Sequence, residues 1–180
     1  LGKITMSEGR RGGLHYDDSL AICKALDAAG IDAIIPSNGT STMNPMLMFR
    51  GDSILPALLR YERNRIMRFL LRLMGKKMFP SLPFYDMYLL EHAKRIRDVV
   101  KCKLVYIGGA TSGENFSEIL NAGFDFIQLG RTLLADPDLP EKLAAEPRFK
   151  SRCTHCNLCV GTIESPKGIH CPQFIDASVL

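Results

Sequence analysis

The stretch KLVYIGGATSGENFSEILNAGFDFIQLGR, residues 103–131, decides the fold because it holds two strand-like runs joined by a helical run. The apolar runs, residues 103–107 and 124–129, each end in glycine. Between them, apolar residues recur at the three-and-four spacing of an amphipathic helix. Strands that alternate with helices in this way predict a parallel sheet with helices packed outside it.

The same alternation extends to both sides of this stretch. The predicted strands are residues 3–7, 32–36, 103–107 and 124–129. The predicted helices are residues 16–29, 84–100, 113–122 and, with turns at Pro137 and Pro140, 132–145. A doubly wound sheet would call for a GxGxxG turn, which the sequence lacks. Four units are half of an eight-unit barrel, so the predicted fold is α/β, the second half of a TIM (β/α)8 barrel over residues 1–148, followed by a cysteine-rich segment over 149–180.

The composition is that of a globular protein without a membrane span. Of the 180 residues, 46% are hydrophobic and 23% charged, and the formal net charge is +4. There is no run of 18 or more apolar residues, and residues 1–6 show none of the n-region, h-region or cleavage site typical of a signal peptide. We therefore expect a cytoplasmic protein that does not bind nucleic acid. Because the chain opens inside a strand without an initiator Met, we also expect it to be a fragment.

Residues 43–83 interrupt the alternation between the second strand and its helix, where a loop usually has about 2–6 residues. The middle of this insertion, residues 55–79, is basic and has apolar residues at helical spacing. Its charged residues are Arg60, Arg63, Arg65, Arg68, Arg72, Lys76 and Lys77 against a lone Glu62. Three interpretations remain open: a lid helix with a solvated basic face, a surface for acidic substrate groups such as those of a nucleotide, and contact with a membrane surface.

Four cysteines follow within 19 residues. Cys153, Cys156 and Cys159 have the spacing C-x-x-C-x-x-C, and Cys171 follows after eleven residues. A tight loop can aim three sulfurs inward and a more distant loop can supply the fourth, which is typical of a 4Fe–4S cluster. Tetrahedral zinc is the alternative, because it also accepts four cysteines. We expect His155 and His170 to lie beside the ligands or on the surface.

The other two cysteines, Cys23 and Cys102, fall in or next to predicted regular elements. Without a secretory signal, disulfides are not expected. We expect both to be buried and inert.

Glycines end the third and fourth predicted strands. Gly108, Gly109 and Ala110 follow one strand, and Gly130 and Arg131 follow the next. In a barrel count these are strands seven and eight, where backbone N–H groups commonly hold a phosphate. Glycine allows the backbone to approach an anion, although strand-end glycines often serve only as turns. The polar loop 37–41 is expected to face the same mouth.

With these pieces together, the chain resembles a known family. The runs GGA, residues 108–110, and AGFDFIQLGRTLLADPDLP, residues 122–140, resemble the old yellow enzyme family of FMN-dependent reductases. Residues 25–37 resemble the family's fifth helix and sixth strand. The cysteines make the chain similar to the iron–sulfur branch, which includes 2,4-dienoyl-CoA reductase, enoate reductase and trimethylamine dehydrogenase.

The resemblance implies a TIM barrel with FMN at the carboxyl ends of its strands, and a 4Fe–4S cluster on the four tail cysteines. It implies NAD(P)H as the reductant and a small-molecule substrate with an activated C=C bond. Thr5 stands where the family usually has a basic residue near the flavin. The residues implied to contact FMN are Gly108, Gly109, Ala110, Leu129, Gly130, Arg131 and Thr5.

The family's proton donor belongs to the first half of the barrel, so no catalytic residue is assigned to this chain. A half-barrel leaves strand edges exposed, so we expect it to need the N-terminal half or to oligomerise. Two other functions stay open: an electron-transfer module that completes a partner chain, and a zinc-stabilised binding protein.

Overall fold

The computed structural model describes residues 1–41, 44–163 and 165–174. The residues outside these ranges are Thr42, Met43, Glu164 and 175–180. Met43 is the first residue of the predicted insertion, and Glu164 and residues 175–180 belong to the predicted cysteine-rich segment.

Four parallel strands form the sheet. They are β1 (Gly2–Thr5), β2 (Ala33–Ser37), β3 (Lys103–Ile107) and β4 (Phe126–Gln128). Their order in space is their order in the chain, β1-β2-β3-β4. The register pairs Ile34 with Leu104 and Tyr106 with Ile127. A doubly wound sheet would reverse direction within this order, and these four strands do not. The predicted parallel α/β sheet is therefore confirmed.

Three helices of the alternating units cover one face of the sheet. They are α1 (Tyr16–Ala28), α4 (Leu90–Arg97) and α5 (Gly113–Asn121). Two further helices, α6 (Arg131–Ala135) and α7 (Leu139–Ala145), follow β4 in the chain. On the sheet side, Ile34, Leu104 and Tyr106 are completely buried. They meet apolar residues of the helices, among them Ile96 and Ile119. Burial of these side chains is the main stabilising term of the domain.

The opposite face of the sheet is incompletely covered by the described residues. Register places Val105 beside Phe126 and Ile107 beside Gln128, and successive residues of a strand point to opposite faces. Phe126 keeps 57% of its surface exposed, and Val105 and Ile107 are only half-buried. One face of the sheet is thus a core face and the other is partly open.

Several predicted boundaries shift. The helix expected over residues 84–100 begins at Leu90, because Met87 has a left-handed φ of 53° that ends regular structure before it. The last strand begins two residues later than expected, because the N–H of Phe124 bonds to Ile119 at the end of α5. The turn expected at Pro137 is confirmed by the break between α6 and α7, whereas Pro140 lies in the first turn of α7, where a proline is tolerated because its missing N–H has no helical partner there.

The insertion folds as two helices, where the prediction had one. A short 3-10 helix (Pro45–Leu47) precedes α2 (Leu55–Tyr61) and α3 (Arg65–Met78). Glu62 is extended between them, and the Asn64 side chain caps α3 by accepting from the N–H groups of Ile66 and Met67. A lid role for this region stays a prediction. In the described part of the chain, no helix has both the length and the apolar character needed to cross a bilayer.

Candidate functional site

A cavity lies at the carboxyl ends of β3 and β4. Six of the seven predicted flavin contacts line it: Gly108, Gly109, Ala110, Leu129, Gly130 and Arg131. Residues from other parts of the chain complete its wall, among them Met48, Phe49, Tyr88 and His155. The space between these walls, open mouth included, is about 530 Å³. The structure therefore brings together residues that are 22 positions apart in the sequence.

The glycines after β3 have a packing reason. Gly108 and Gly109 both have left-handed φ, at 121° and 75°. A Cβ on Gly109 would lie 2.8 Å from the Tyr88 ring and 3.0 Å from the Met87 nitrogen. The Gly109 carbonyl accepts from Met87 N–H at 2.9 Å, so this loop is held tightly against the segment before α4. These two glycines are required whether or not a phosphate binds.

Gly130 is different. A Cβ placed there would meet nothing within 4 Å, and the residue is exposed at the cavity wall. No contact within the described protein requires glycine at this position. Its bare backbone leaves room for a ligand to approach, which fits the predicted phosphate contact.

Thr5 does not join the other six residues. It ends β1, in register with Ser37, and its hydroxyl lies 3.3 Å from the Gly39 carbonyl, to which it donates. It does not line the strand-end cavity. The loop after β2 lies along the same edge of the sheet, but it too forms no part of that cavity wall.

The four tail cysteines line a second cavity. Cys153, Cys156, Cys159 and Cys171 surround it together with Arg131, Leu134 and residues 172–174. His155 and Asn157 have left-handed φ of 57° and 60°, which turns the chain back twice within five residues. These turns allow three cysteines of one short loop to face the same space. Cys159 and Cys171 are buried, and Cys153 and Cys156 are half-buried.

The donor set of this cavity consists of four cysteine thiols, the ligand type that 4Fe–4S clusters and structural zinc both use. Burial raises the pKa of Cys159 to about 11, although the nearby Arg131 charge lowers it in part. Burial also raises the pKa of Cys153. The Cys153 and Cys159 thiols are therefore protonated at neutral pH, and a bound metal would have to displace their protons. Across residues 1–41, 44–163 and 165–174, no three His, Cys, Asp or Glu side chains are grouped closely enough for one metal ion.

Arg131 and Asn157 connect the two cavities. Arg131 lines both, and its Nη1 donates to Asn157 Oδ1 at 2.6 Å and to the Arg50 carbonyl at 2.7 Å. The Asn157 amide nitrogen donates at 2.7 Å to the carbonyls of Phe49 and Asp52. Asn157 is 1% exposed and joins the cysteine loop, the insertion and the end of β4.

No pattern in the sequence singled out Asn157 as a site residue. The available signal was an Asn between two cysteines of a tight loop, since Asn adopts the left-handed conformation more readily than most residues.

The two histidines near the cysteines lie in different places. The His155 ring stacks on Phe84 with centroids 3.4 Å apart and lines the strand-end cavity. Burial, reinforced by the Arg131 charge, lowers the pKa of His155 to about 4, so its ring is neutral at pH 7. His170 is buried, and its backbone N–H donates to the Thr162 hydroxyl. Of the two positions expected for His170, beside the ligands or on the surface, the surface is therefore excluded.

A buried carboxylate attaches the cysteine segment to the α/β unit. Asp136 is completely buried and accepts from the Ser151 hydroxyl at 2.6 Å and the Arg152 N–H at 3.0 Å. Lys142 and the Arg152 side chain pair with it at 2.9 and 3.1 Å. Burial alone would raise the pKa of Asp136, but the bonds from Ser151, Lys142 and Arg152 outweigh it and lower the pKa. Sequence analysis quoted Asp136 only within the family resemblance.

The remaining cysteines have no role in either cavity. All six cysteines are free thiols. Cys23 is buried as predicted, and burial raises its pKa to about 11. Cys102 is only half-buried, contrary to expectation, because it precedes β3 at the end of the sheet where Asp27 accepts its N–H.

Three known proteins are similar to this chain. It is 35% identical over 162 residues to the 4,4'-dithiodibutanoate disulfide reductase of Rhodococcus erythropolis, covering 89% of this chain and 40% of that protein. It is 27% identical over 166 residues to the bilirubin reductase of Mediterraneibacter gnavus, covering 89% and 21%. It is 29% identical over 85 residues to the bilirubin reductase of Clostridium symbiosum, covering 46% and 23%.

The chain spans less than half the length of each of these curated relatives. No protein-family model matches it. All three relatives are named as reductases, so the similarity is to oxidoreductases.

Proposed function

We propose that this chain is the FMN- and 4Fe–4S-binding part of an NAD(P)H-dependent flavin oxidoreductase of the ene-reductase type. The observation that carries the proposal is the shared wall between the strand-end cavity and the four-cysteine cavity. Arg131 lines both, so a group in one cavity would lie close to a group in the other. The reductase names of the relatives support the same class of chemistry.

The strand-end cavity fits the phosphate end of FMN. The backbone of Gly108, Gly109 and Ala110 and the open position at Gly130 would hold the phosphate, with the Arg131 guanidinium as the counter-charge. The four cysteines would hold the cluster. When bound, FMN supplies redox chemistry that amino-acid side chains lack, and a cluster carries single electrons.

The chain's own residues position and shield this chemistry. Arg131 cannot swing freely, because Arg50 and Asn157 both accept from its guanidinium. Tyr88 is buried beside the cavity, with its hydroxyl donating to the Met48 carbonyl at 2.7 Å. The neutral His155 ring, stacked on Phe84, adds an uncharged planar group to the wall. Together these side chains fix one positive charge in a site from which water is partly excluded, where electrostatic contacts are stronger than in water.

The architecture that we propose is the second half of a TIM barrel. Three observations support it: the sequential parallel strand order, the partly open sheet face around Phe126, and the 40% coverage of the disulfide reductase. The remainder of the site, including the proton donor, would then come from the other half of the barrel. If that half belongs to a separate chain, this one is an electron-transfer module of the complex, which is the second candidate function.

The proposed substrate is a small molecule with an activated C=C bond. The bilirubin reductases are named for a substrate of extended conjugation, which agrees with this class. Reduction of a disulfide is the alternative reaction, because the relative with 35% identity is named as a disulfide reductase. Assays of the complete protein with a conjugated enone and with a dialkyl disulfide would show which of the two reactions it catalyses.

Anaerobic metal and flavin analysis of the purified chain tests the proposal. We expect about four iron atoms per chain, with broad visible absorption, because four thiolates are the usual ligands of a 4Fe–4S cluster. Zinc in place of iron would overturn the redox assignment and favour a zinc-stabilised binding protein.

The flavin assignment is tested separately. Added FMN should bind more tightly than riboflavin, because only FMN carries the phosphate that the strand-end residues would hold. The comparison is made on the complete protein, and equal affinity for the two flavins would contradict the phosphate site.

A further inference from the structure

Helix α3 of the insertion presents a continuous apolar surface to solvent. Its outward residues share one broad side of the helix and are Ile66, Met67, Phe69, Leu70, Leu73 and Met74. Ile66, Leu73 and Phe69 keep 73%, 72% and 64% of their surfaces exposed. Gly75 is the one buried residue of the helix and packs against Leu55 at the start of α2. The helix therefore contacts the protein on a narrow side and turns its apolar side outward.

This arrangement is unusual for a surface helix. An amphipathic helix of a globular protein normally buries its apolar stripe and exposes its polar side. Contiguous exposed apolar surface marks an interaction site. Other exposed apolar residues of the described chain, such as Ile22 and Leu120, lie singly on other helices. The concentration on α3 singles out this helix.

Cations border the apolar side of α3. Arg65, Arg72, Lys76 and Lys77 are exposed, and none takes part in an ion pair within the described residues. The single acid of the two-helix region, Glu62, accepts from the backbone N–H of Asn64. The helix thus carries uncompensated positive charge next to its apolar surface.

We propose that α3 lies in the surface of a bilayer that contains acidic lipids. Such a surface satisfies both features at once, because apolar side chains enter the acyl boundary while Lys and Arg reach the phosphates above it. Fourteen residues give a helix of about 21 Å, which suits the plane of the surface. This inference does not depend on the proposed redox function.

Other occupants satisfy only one of the two features. A nucleic acid would pair with the cations and leave the apolar side exposed. A second copy of this chain packed by two-fold symmetry would place the same cations against each other. The second copy is an outcome that the experiment below distinguishes.

Vesicle flotation tests the proposal, with the native polypeptide used at its full length where that is longer than this chain. The two vesicle types are phosphatidylcholine alone and phosphatidylcholine with a third of phosphatidylglycerol. We expect binding to the acidic vesicles at low ionic strength, weaker binding at 0.5 M salt because the surface charge is then screened, and little binding to neutral vesicles.

Two pairs of variants separate the contributions. Phe69→Ser with Leu73→Ser removes apolar contact and should lower the partition coefficient at least about tenfold. Arg72→Gln with Lys76→Gln should lower it about tenfold on acidic vesicles only. The matched control is Leu120→Ser with Lys24→Gln, which changes one exposed apolar residue and one exposed cation on other helices and should leave binding unchanged.

Circular dichroism of each variant checks that the fold is retained, since all the altered side chains are exposed. The proposal is overturned if the wild-type protein does not float with acidic vesicles. It is also overturned if the α3 variants float like the control. Sedimentation that shows a dimer lost in the Phe69/Leu73 variant, without vesicle binding, would assign the surface to a second copy instead.

Discussion

The cysteine segment and the two-helix insertion both lie outside the alternating strands and helices. They differ in the kind of side chain that each buries or exposes. The cysteine segment, residues 149–174, buries polar side chains such as Ser151, Asn157 and Thr162. The two helices of the insertion, within residues 55–78, expose apolar side chains such as Ile66 and Leu73. The difference shows that specific hydrogen-bond partners, rather than the number of apolar residues, decide which of the two segments is held against the α/β unit.

The largest expected effect is on metal content. Cys159→Ser should reduce bound iron to near zero, because a cluster that loses one of four thiolates is no longer retained in a closed site. Leu73→Ser in the insertion should leave iron unchanged, and so should Cys102→Ser, which lies outside the cysteine cavity. Iron assay after anaerobic reconstitution measures all three. Full iron in Cys159→Ser would remove that residue from the ligand set.

A second test breaks the attachment of the cysteine segment. Asp136→Asn should lower the free energy of unfolding by about 3 kcal/mol, because it removes a buried carboxylate on which a cationic side chain, a hydroxyl and a backbone N–H converge. Asp138→Asn is the matched control. Asp138 pairs with the same Lys142 but is half exposed, and its loss should cost less than about 1 kcal/mol. Urea unfolding would show the difference, and equal costs would contradict the anchoring role.

A third test compares an asparagine of the cysteine segment, Asn157, with an asparagine of the insertion, Asn64. Asn157→Gly keeps the left-handed backbone but loses three side-chain hydrogen bonds, at an expected cost of about 2 kcal/mol. Asn64→Ala removes the exposed cap of α3, at an expected cost of about 1 kcal/mol. The same urea titration measures both. A larger loss for Asn64→Ala would reverse the comparison between the buried segment and the exposed one.

The smallest effect is a pH dependence. The pKa of Asp136 is lower in the folded chain than its ordinary value of 3.8. Its ionised form therefore adds stability above that value, and the contribution is lost as the pH falls through the lower folded pKa. The stability gap between wild-type protein and Asp136→Asn should be constant from neutral pH to about pH 5 and then narrow toward pH 3. A gap that widens in acid would contradict the lowered pKa.

Local patterns were sufficient for the strand-and-helix alternation. Short apolar runs, the last two of them ending in glycine, located all four strands to within about two residues, because strand patterns and end signals are encoded within a few positions. Burial of Cys23 followed from its place on a helix face. The helix expected over residues 84–100 was overextended, since the left-handed Met87 has no local sequence signal.

The candidate site was only partly predictable. Five strand-end residues were assigned to one site from their positions after neighbouring parallel strands and Leu129 from the family resemblance, and the structure brings all six together. Thr5 was assigned with them from family resemblance, and it lies apart because β1 is two strands away from β3. The role of Asn157 could not be predicted, because its partners are 26 to 108 positions away in the chain.

The sequence by itself determined the parallel α/β alternation, the glycines at the strand ends and the four-cysteine loop, because each depends on residues close together in the chain. Tertiary structure alone decided that Arg131 belongs to both cavities, that Asp136 attaches the cysteine segment, and that α3 turns its apolar side to solvent. These features depend on which distant surfaces meet. The amphipathic sequence pattern of α3 is the same whether its apolar side is buried or exposed, so only tertiary packing decides between these two arrangements.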